Sequence, residues 1–428
     1  MLISRRSASL FLMSLLAVAC ADSGRPPITS PEEVALSRNA SEGARGVFHR
    51  YVAIGTSVSM GWASDGVFRA SQEQAWPLQL ARRTGREMSA PYVSFPGCRS
   101  PLAAPLASFV RVSLESVAIP SANLSCAPND AGITLPAANT AMNAARAFDA
   151  RYTTPENTRD AGNAKLYARV LPPQTTQVQA MARQNPKFVS VELGANEVLG
   201  AASGVVIPGQ TVVPVQAFAP DYDAILDRVA ATVNTGAVLV GLIDDASEFP
   251  AFRRGSELWA NRGEFLVAFN VAVQADCQDS PNLIVVPFRV PAAVAAGVMA
   301  RAAGKPAVPF SCQAGPATVV DYVLTPAEVT QLNGIIAGID AHIAQRAAQR
   351  GWAHFRLDAL YGRADLKAPF SVVQLMTSQR PYGPYMSLDG FHPSALGQQQ
   401  LAEAAAVAIN ARYRLGIPTG IAALLAVR

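Results

Sequence analysis

Short, mostly apolar runs separated by stretches of helical spacing recur from Phe48 to the carboxyl end, and this alternation restricts the chain to few folds. Tyr51–Ile54, Tyr92–Phe95, Phe188–Leu193, Ala237–Ile243 and Leu283–Pro287 read as strands. Helical spacing covers Gln72–Arg83, Thr175–Arg183, Tyr222–Asn234, Phe265–Gln274 and Thr325–Arg350, and a last helix runs from about Pro393 to Tyr413. In the longest of these, Leu332, Ile335, Ile336, Ile339 and Ile343 form one apolar stripe. A strand that is apolar on both sides has no face for water, so helices must cover both faces of its sheet. Helical crossovers do this when the strands run parallel. The pattern predicts an α/β sandwich formed by one large domain. Two segments read differently: 103–166 as a long loop region with a helix over 139–146, and 198–220, which carries no charge, as a β-hairpin.

The first nineteen residues carry Arg5 and Arg6 and then an apolar core too short to span a bilayer, the pattern of an export signal. The junction Ala17-Val18-Ala19-Cys20 resembles the cleavage site of bacterial lipoproteins, which implies lipidation of Cys20 and a membrane anchor in the cell envelope. Residues 20–46 then read as a flexible tether, 47–415 as the folded domain and 416–428 as an extension packed on it. Four further cysteines, Cys98, Cys126, Cys277 and Cys312, are an even number suited to an oxidising compartment. Three pairings are open, and proximity in the chain favours Cys98–Cys126 with Cys277–Cys312. The formal charge is +4, and removal of Arg5 and Arg6 leaves +2. With no cluster of basic and aromatic residues, this argues against a nucleic-acid partner. The cysteine and histidine spacing suggests no metal site. Oligomeric state is not legible.

Open parallel sheets place their sites at the carboxyl ends of the strands. Three of the predicted strand exits carry Gly55-Thr56-Ser57, Pro96-Gly97-Cys98 and Gly194-Ala195-Asn196-Glu197. Near the carboxyl end, Asp389-Gly390-Phe391-His392-Pro393-Ser394 puts a carboxylate three residues before an imidazole. Ser, His and Asp together are the components of an activated serine nucleophile. No GxSxG pentapeptide occurs, so the usual α/β-hydrolase elbow is excluded.

These segments resemble the SGNH (GDSL-type) hydrolase family, whose blocks supply Ser, Gly, Asn and His in that chain order. The matching positions are Ser57 in GTSVS, Gly97 in FPGC, Asn196 in GANE and His392 in DGFHPSALGQQ, with Asp389 at the family's acidic position, and the likeness runs over Phe48–Tyr413. The resemblance implies a three-layer α/β/α sandwich, flavodoxin-like, around a mainly parallel sheet of about five strands. It also implies a cofactor-independent esterase or lipase acting on ester substrates, lipids among them. Ser57 would be the nucleophile, His392 its base and Asp389 the group orienting the imidazole. The Ser57 and Gly97 amides and the Asn196 side chain would form the oxyanion hole. The family's Asp before the nucleophile is Thr56 here, and its Asp after the Asn is Glu197. Two alternatives stay open: an acyltransferase or carbohydrate deacetylase of the envelope, and a non-catalytic binding module on the same scaffold.

Overall fold

The computed structural model describes residues 42–316 and 318–420. The expected export signal, Cys20, most of the tether and residues 421–428 lie outside that range.

The central sheet has four strands, all parallel, in the order β1 (Tyr51–Gly55), β2 (Phe188–Glu192), β3 (Gly236–Gly241) and β9 (Ala353–Arg356). Every residue of the first three is buried, the apolar ones as expected and Ser190 and Glu192 of β2 with hydrogen-bond partners, whereas β9 alternates buried and half-buried positions as an edge strand does. The helices include α1 (Ser57–Met60), α2 (Trp76–Arg83), α3 (Ala147–Tyr152), α4 (Gln177–Arg183), α5 (Val215–Ala230), α6 (Val286–Ala302), α7 (Pro326–Arg350) and α8 (Ala395–Tyr413). On one side α8 packs on β9 and α2; on the other, α7 packs on β3 and α5, and α4 on β1. The chain is therefore a mixed α/β sandwich, as the alternation of apolar strands and helices predicts. The start of α7 is set by Thr325, whose hydroxyl accepts the Glu328 N–H while the Glu328 carboxylate accepts the Thr325 N–H.

Several expectations are corrected. Tyr92–Phe95 is not a strand of this sheet and makes a single antiparallel bridge, Val93 to Asn129. Pro91 and Pro96 flank it and cannot donate to a ladder. The edge position beside β1 is taken by residues 138–142, which the sequence suggested as the start of a helix. The Ala53 N–H donates to the Ala138 carbonyl (2.9 Å), and the Thr140 and Met142 N–H groups donate to Ala53 and Gly55 (2.9 and 3.0 Å).

Leu283–Val285 (β6) belongs to a separate antiparallel sheet, between β4 (Phe252–Arg254) and β8 (Val323–Leu324). The end of the helix expected over Phe265–Gln274 is instead β5 (Val271–Val273), paired in parallel with β7 (Val308–Phe310). The hairpin expected over 198–220 is also absent. A 3-10 turn at Leu199–Ser203 is followed by a loop in which the Thr211 hydroxyl donates to the Val205 carbonyl and accepts the Ile207 N–H, and then by α5. Pro208 and Pro214 remove two of the N–H groups a hairpin would need. Both disulfides link the neighbouring pairs, Cys98–Cys126 and Cys277–Cys312. The second ties down the β4–β8 region, which lies between β3 and α7 in the chain.

Candidate active site

β1 ends at Gly55, and the chain turns at once into α1, whose first residue is Ser57. A side chain at position 55 would put its Cβ 2.7 Å from that of Ser59, so glycine is what lets the turn close this tightly. Thr56 caps α1, its hydroxyl accepting the Val58 N–H. The Ser57 hydroxyl is thereby held at the carboxyl end of the sheet.

His392 reaches it from the loop before α8. His392 Nε2 lies 2.9 Å from Ser57 Oγ, and His392 Nδ1 lies 2.9 Å from Asp389 Oδ2. Asp389 is itself oriented by four donors: the N–H groups of Phe391 and His392 (2.9 Å each) and the Ser387 hydroxyl (3.1 Å) on Oδ1, and the Asp65 N–H (2.7 Å) on Oδ2. Gly390, at φ +70, makes the turn between Asp389 and His392, and a Cβ there would meet the Tyr382 ring at 2.8 Å. Burial alone would push the His392 imidazole down. The charge and hydrogen bond of Asp389 outweigh burial and raise it above its ordinary 6.5. Burial likewise opposes ionisation of Asp389, and the partnership with His392 reverses this and holds it well below the usual carboxylate range.

Asn196 arrives from the turn after β2, and its Nδ2 donates one hydrogen to the Ala145 carbonyl at 2.9 Å. Gly97 does not join the group. Its N–H donates to the Ser94 carbonyl at 2.9 Å, inside a local turn, and it is not among the residues lining the cavity over Ser57. The segment that does reach this cavity is the continuation of 138–142, with Asn143 and Ala144 in its wall. Ala144 stands at φ +61, and among the described residues neither its N–H nor that of Ser57 has a hydrogen-bond partner. Ser57, Ala144 and Asn196 all line the cavity, which leaves two unpartnered amides and the second Asn196 hydrogen as donors in its wall. The sequence reading missed Ala144 because an alanine in a loop carries no chemical signal; only the pairing of 138–142 with β1 places it.

Two buried glutamates hold the turns that carry these donors. Glu192, the last residue of β2, accepts the Thr56 N–H (3.0 Å), the Thr56 hydroxyl (2.8 Å) and the Ser59 N–H (3.2 Å). Burial pushes its carboxyl up, against these hydrogen bonds. Thr56, a hydroxyl residue, is thus held by a carboxylate from the neighbouring strand. A charged residue ending the mostly apolar run Phe-Val-Ser-Val-Glu is the signal that could have found it. Glu197 accepts the Ala147 N–H at 2.6 Å, fixing the start of α3 just after Ala144, and burial raises its carboxyl to about 7.

Glu192→Ala would leave three buried donors without an acceptor, an expected loss of roughly 2–4 kcal/mol in denaturant unfolding. Glu192→Gln keeps one carbonyl acceptor and should cost less than half as much. Unchanged stability in the alanine variant would remove Glu192 from this role.

Ser57, His392 and Asn196 line one cavity of about 990 Å3. No protein-family model and no curated relative matches the sequence. Among solved structures, the chain is similar to an extracellular lipase from Streptomyces rimosus, at 12% identity and a TM-score of 0.33, over 85% of this chain and 98% of that one. It is similar to phospholipase A1 from Streptomyces albidoflavus NA297 at 13% identity and a TM-score of 0.29, over the same shares.

Proposed function

We propose that the protein is a serine hydrolase of carboxylic esters, acting through an acyl-enzyme on Ser57. The observation that carries this is the continuous chain Ser57–His392–Asp389, with both hydrogen bonds at 2.9 Å, in the wall of a large and mostly apolar cavity. As Ser57 Oγ attacks the carbonyl carbon, His392 Nε2 takes its proton, and Asp389 stabilises the imidazolium that forms. The carbonyl oxygen, now negative, is received by the N–H groups of Ser57 and Ala144 and by Asn196 Nδ2, donors already aimed at it. His392 returns the proton to the leaving alcohol, and water repeats the sequence to release the acid. The chain order Ser57, Asn196, Asp389, His392 fits the SGNH pattern, with Ala144 in the role the sequence suggested for Gly97. The two disulfides suit an exported protein.

The test combines labelling and turnover. A fluorophosphonate should modify Ser57, and p-nitrophenyl esters should be hydrolysed. Only the neutral imidazole can act as base, so kcat/KM should rise with pH through a pKa above 6.5. Absence of both labelling and turnover would leave a binding module. Labelling and turnover with a flat pH profile would take His392 out of the mechanism.

A further inference from the structure

Just after α1 the chain makes a tight turn over residues 63–66. It is closed by donation from the Ala63 N–H to the Gly66 carbonyl (2.9 Å) and from the Gly66 N–H to the Ala63 carbonyl (3.1 Å). Its two middle residues, Ser64 (φ +55) and Asp65 (φ +57), are both left-handed although neither is glycine. Such backbone persists only where its surroundings over-determine it. Here they do so from two sides. Toward the triad, the Asp65 N–H donates to Asp389 Oδ2 (2.7 Å), the Ser64 N–H to the Ser387 hydroxyl (2.8 Å), and the Leu388 N–H to the Ser64 hydroxyl (3.1 Å). Away from it, Arg99 Nη1 and Arg111 Nη2 donate to the two oxygens of the Asp65 carboxylate (2.5 and 2.7 Å). Arg111 is buried and also donates to the Ser100 carbonyl (2.8 Å), while Arg99 lies over the Trp62 ring.

From these contacts we infer that Asp65 is a positioning residue of the triad: its amide fixes the Asp389 oxygen that faces the imidazole, and its carboxylate screens His392 from two arginines. The inference rests on the serine-hydrolase reading above. Asp389 Oδ2 is the atom 2.9 Å from His392 Nδ1, so the Asp65 amide and the imidazole share one acceptor. The charge argument follows from the step His392 must take. It becomes a cation as Ser57 loses its proton, and two bare guanidinium groups in the same cavity wall would oppose this. The Asp65 carboxylate offsets them. Burial lowers the proton affinity of the imidazole, Asp389 raises it, and the charges of Asp65 and of Glu192, from β2, add to the rise. Asp160 lines the same cavity, bonded to Asn163 (2.5 Å), and burial pushes the Tyr361 and Tyr382 phenols up, which keeps them neutral. Substitution of Asp65 removes none of these groups.

The imidazole signals of the four histidines can be titrated by NMR, with His392 identified by its loss in His392→Gln. Asp65→Asn keeps the amide and suits a left-handed position, so it removes the charge alone. The imidazolium then loses an attraction and meets two unbalanced repulsions, and the His392 midpoint should fall by roughly one pH unit. Arg99→Met leaves the carboxylate with one partner and should raise the midpoint by about half a unit. The acid limb of kcat/KM should follow, to lower pH in the first variant and to higher pH in the second. His342 and His354, whose charged neighbours are Asp223 and the Asp340–Arg356 pair, should stay where they are. A clamp with a merely structural role loosens whichever partner is lost, and would not produce shifts of opposite sign. An unmoved His392 midpoint in either variant, or two shifts of the same sign, would overturn the inference. If Asp65→Asn does not fold, Arg99→Met decides alone, an upward shift supporting the inference and any other result ending it. The titration needs no turnover, so an unmutated protein without esterase activity would end the hydrolase reading while leaving this readout intact.

Discussion

Ser57→Ala is expected to reduce ester hydrolysis by on the order of 10⁵–10⁶-fold while leaving the fold intact. The substitution removes one hydroxyl from the first turn of α1 and leaves Thr56, Glu192 and the helix cap untouched. His392→Ala should be nearly as damaging, because the serine then keeps its proton. The two act as one unit, so the double variant should be little worse than either single one. Losses that multiply would mean that Ser57 and His392 work independently, which the 2.9 Å contact between them argues against. A Ser57→Ala protein with undiminished turnover would move the nucleophile elsewhere.

Asn196→Ala should lower kcat by about 10²–10³-fold with little change in KM, because its free hydrogen matters most once the carbonyl oxygen becomes an anion. The same side chain also holds the Ala145 carbonyl, and with it the neighbouring Ala144 amide. Ala144→Gly separates the two contributions. Glycine keeps the N–H and suits φ +61 better than alanine does, so activity should stay within about threefold. If Ala144→Gly lost as much activity as Asn196→Ala, the alanine methyl group, and not the amide, would be the working part. A raised KM with unchanged kcat in Asn196→Ala would make Asn196 a substrate-binding residue.

How far the site was legible differs from residue to residue. Ser57, Asn196, Asp389 and His392 were visible because each sits in a short local pattern that its own chemistry explains. The structure brings Ser57, Asp389 and His392 into one hydrogen-bonded chain and sets Asn196 beside it. Gly97 had an equally persuasive local pattern, a glycine after an apolar run, yet its amide is spent on Ser94. Ala144 had no pattern at all. Both outcomes follow from one event far from either residue in the sequence: residues 138–142, and not Tyr92–Phe95, pair with β1.

The sequence by itself determined the layered architecture, because mostly apolar strands between helices can be buried only in a parallel sheet covered on both faces. It also offered the candidates for the proposed nucleophile, base and orienting acid, because those roles depend on functional groups that few residues carry. The tertiary structure alone decided which segment borders β1, and so which amide faces the site. It alone brought the Glu192 carboxylate onto the turn that carries Ser57. Backbone amides are the same at every residue, and contacts between distant segments depend on how the whole chain packs. Neither leaves a mark that local sequence can carry.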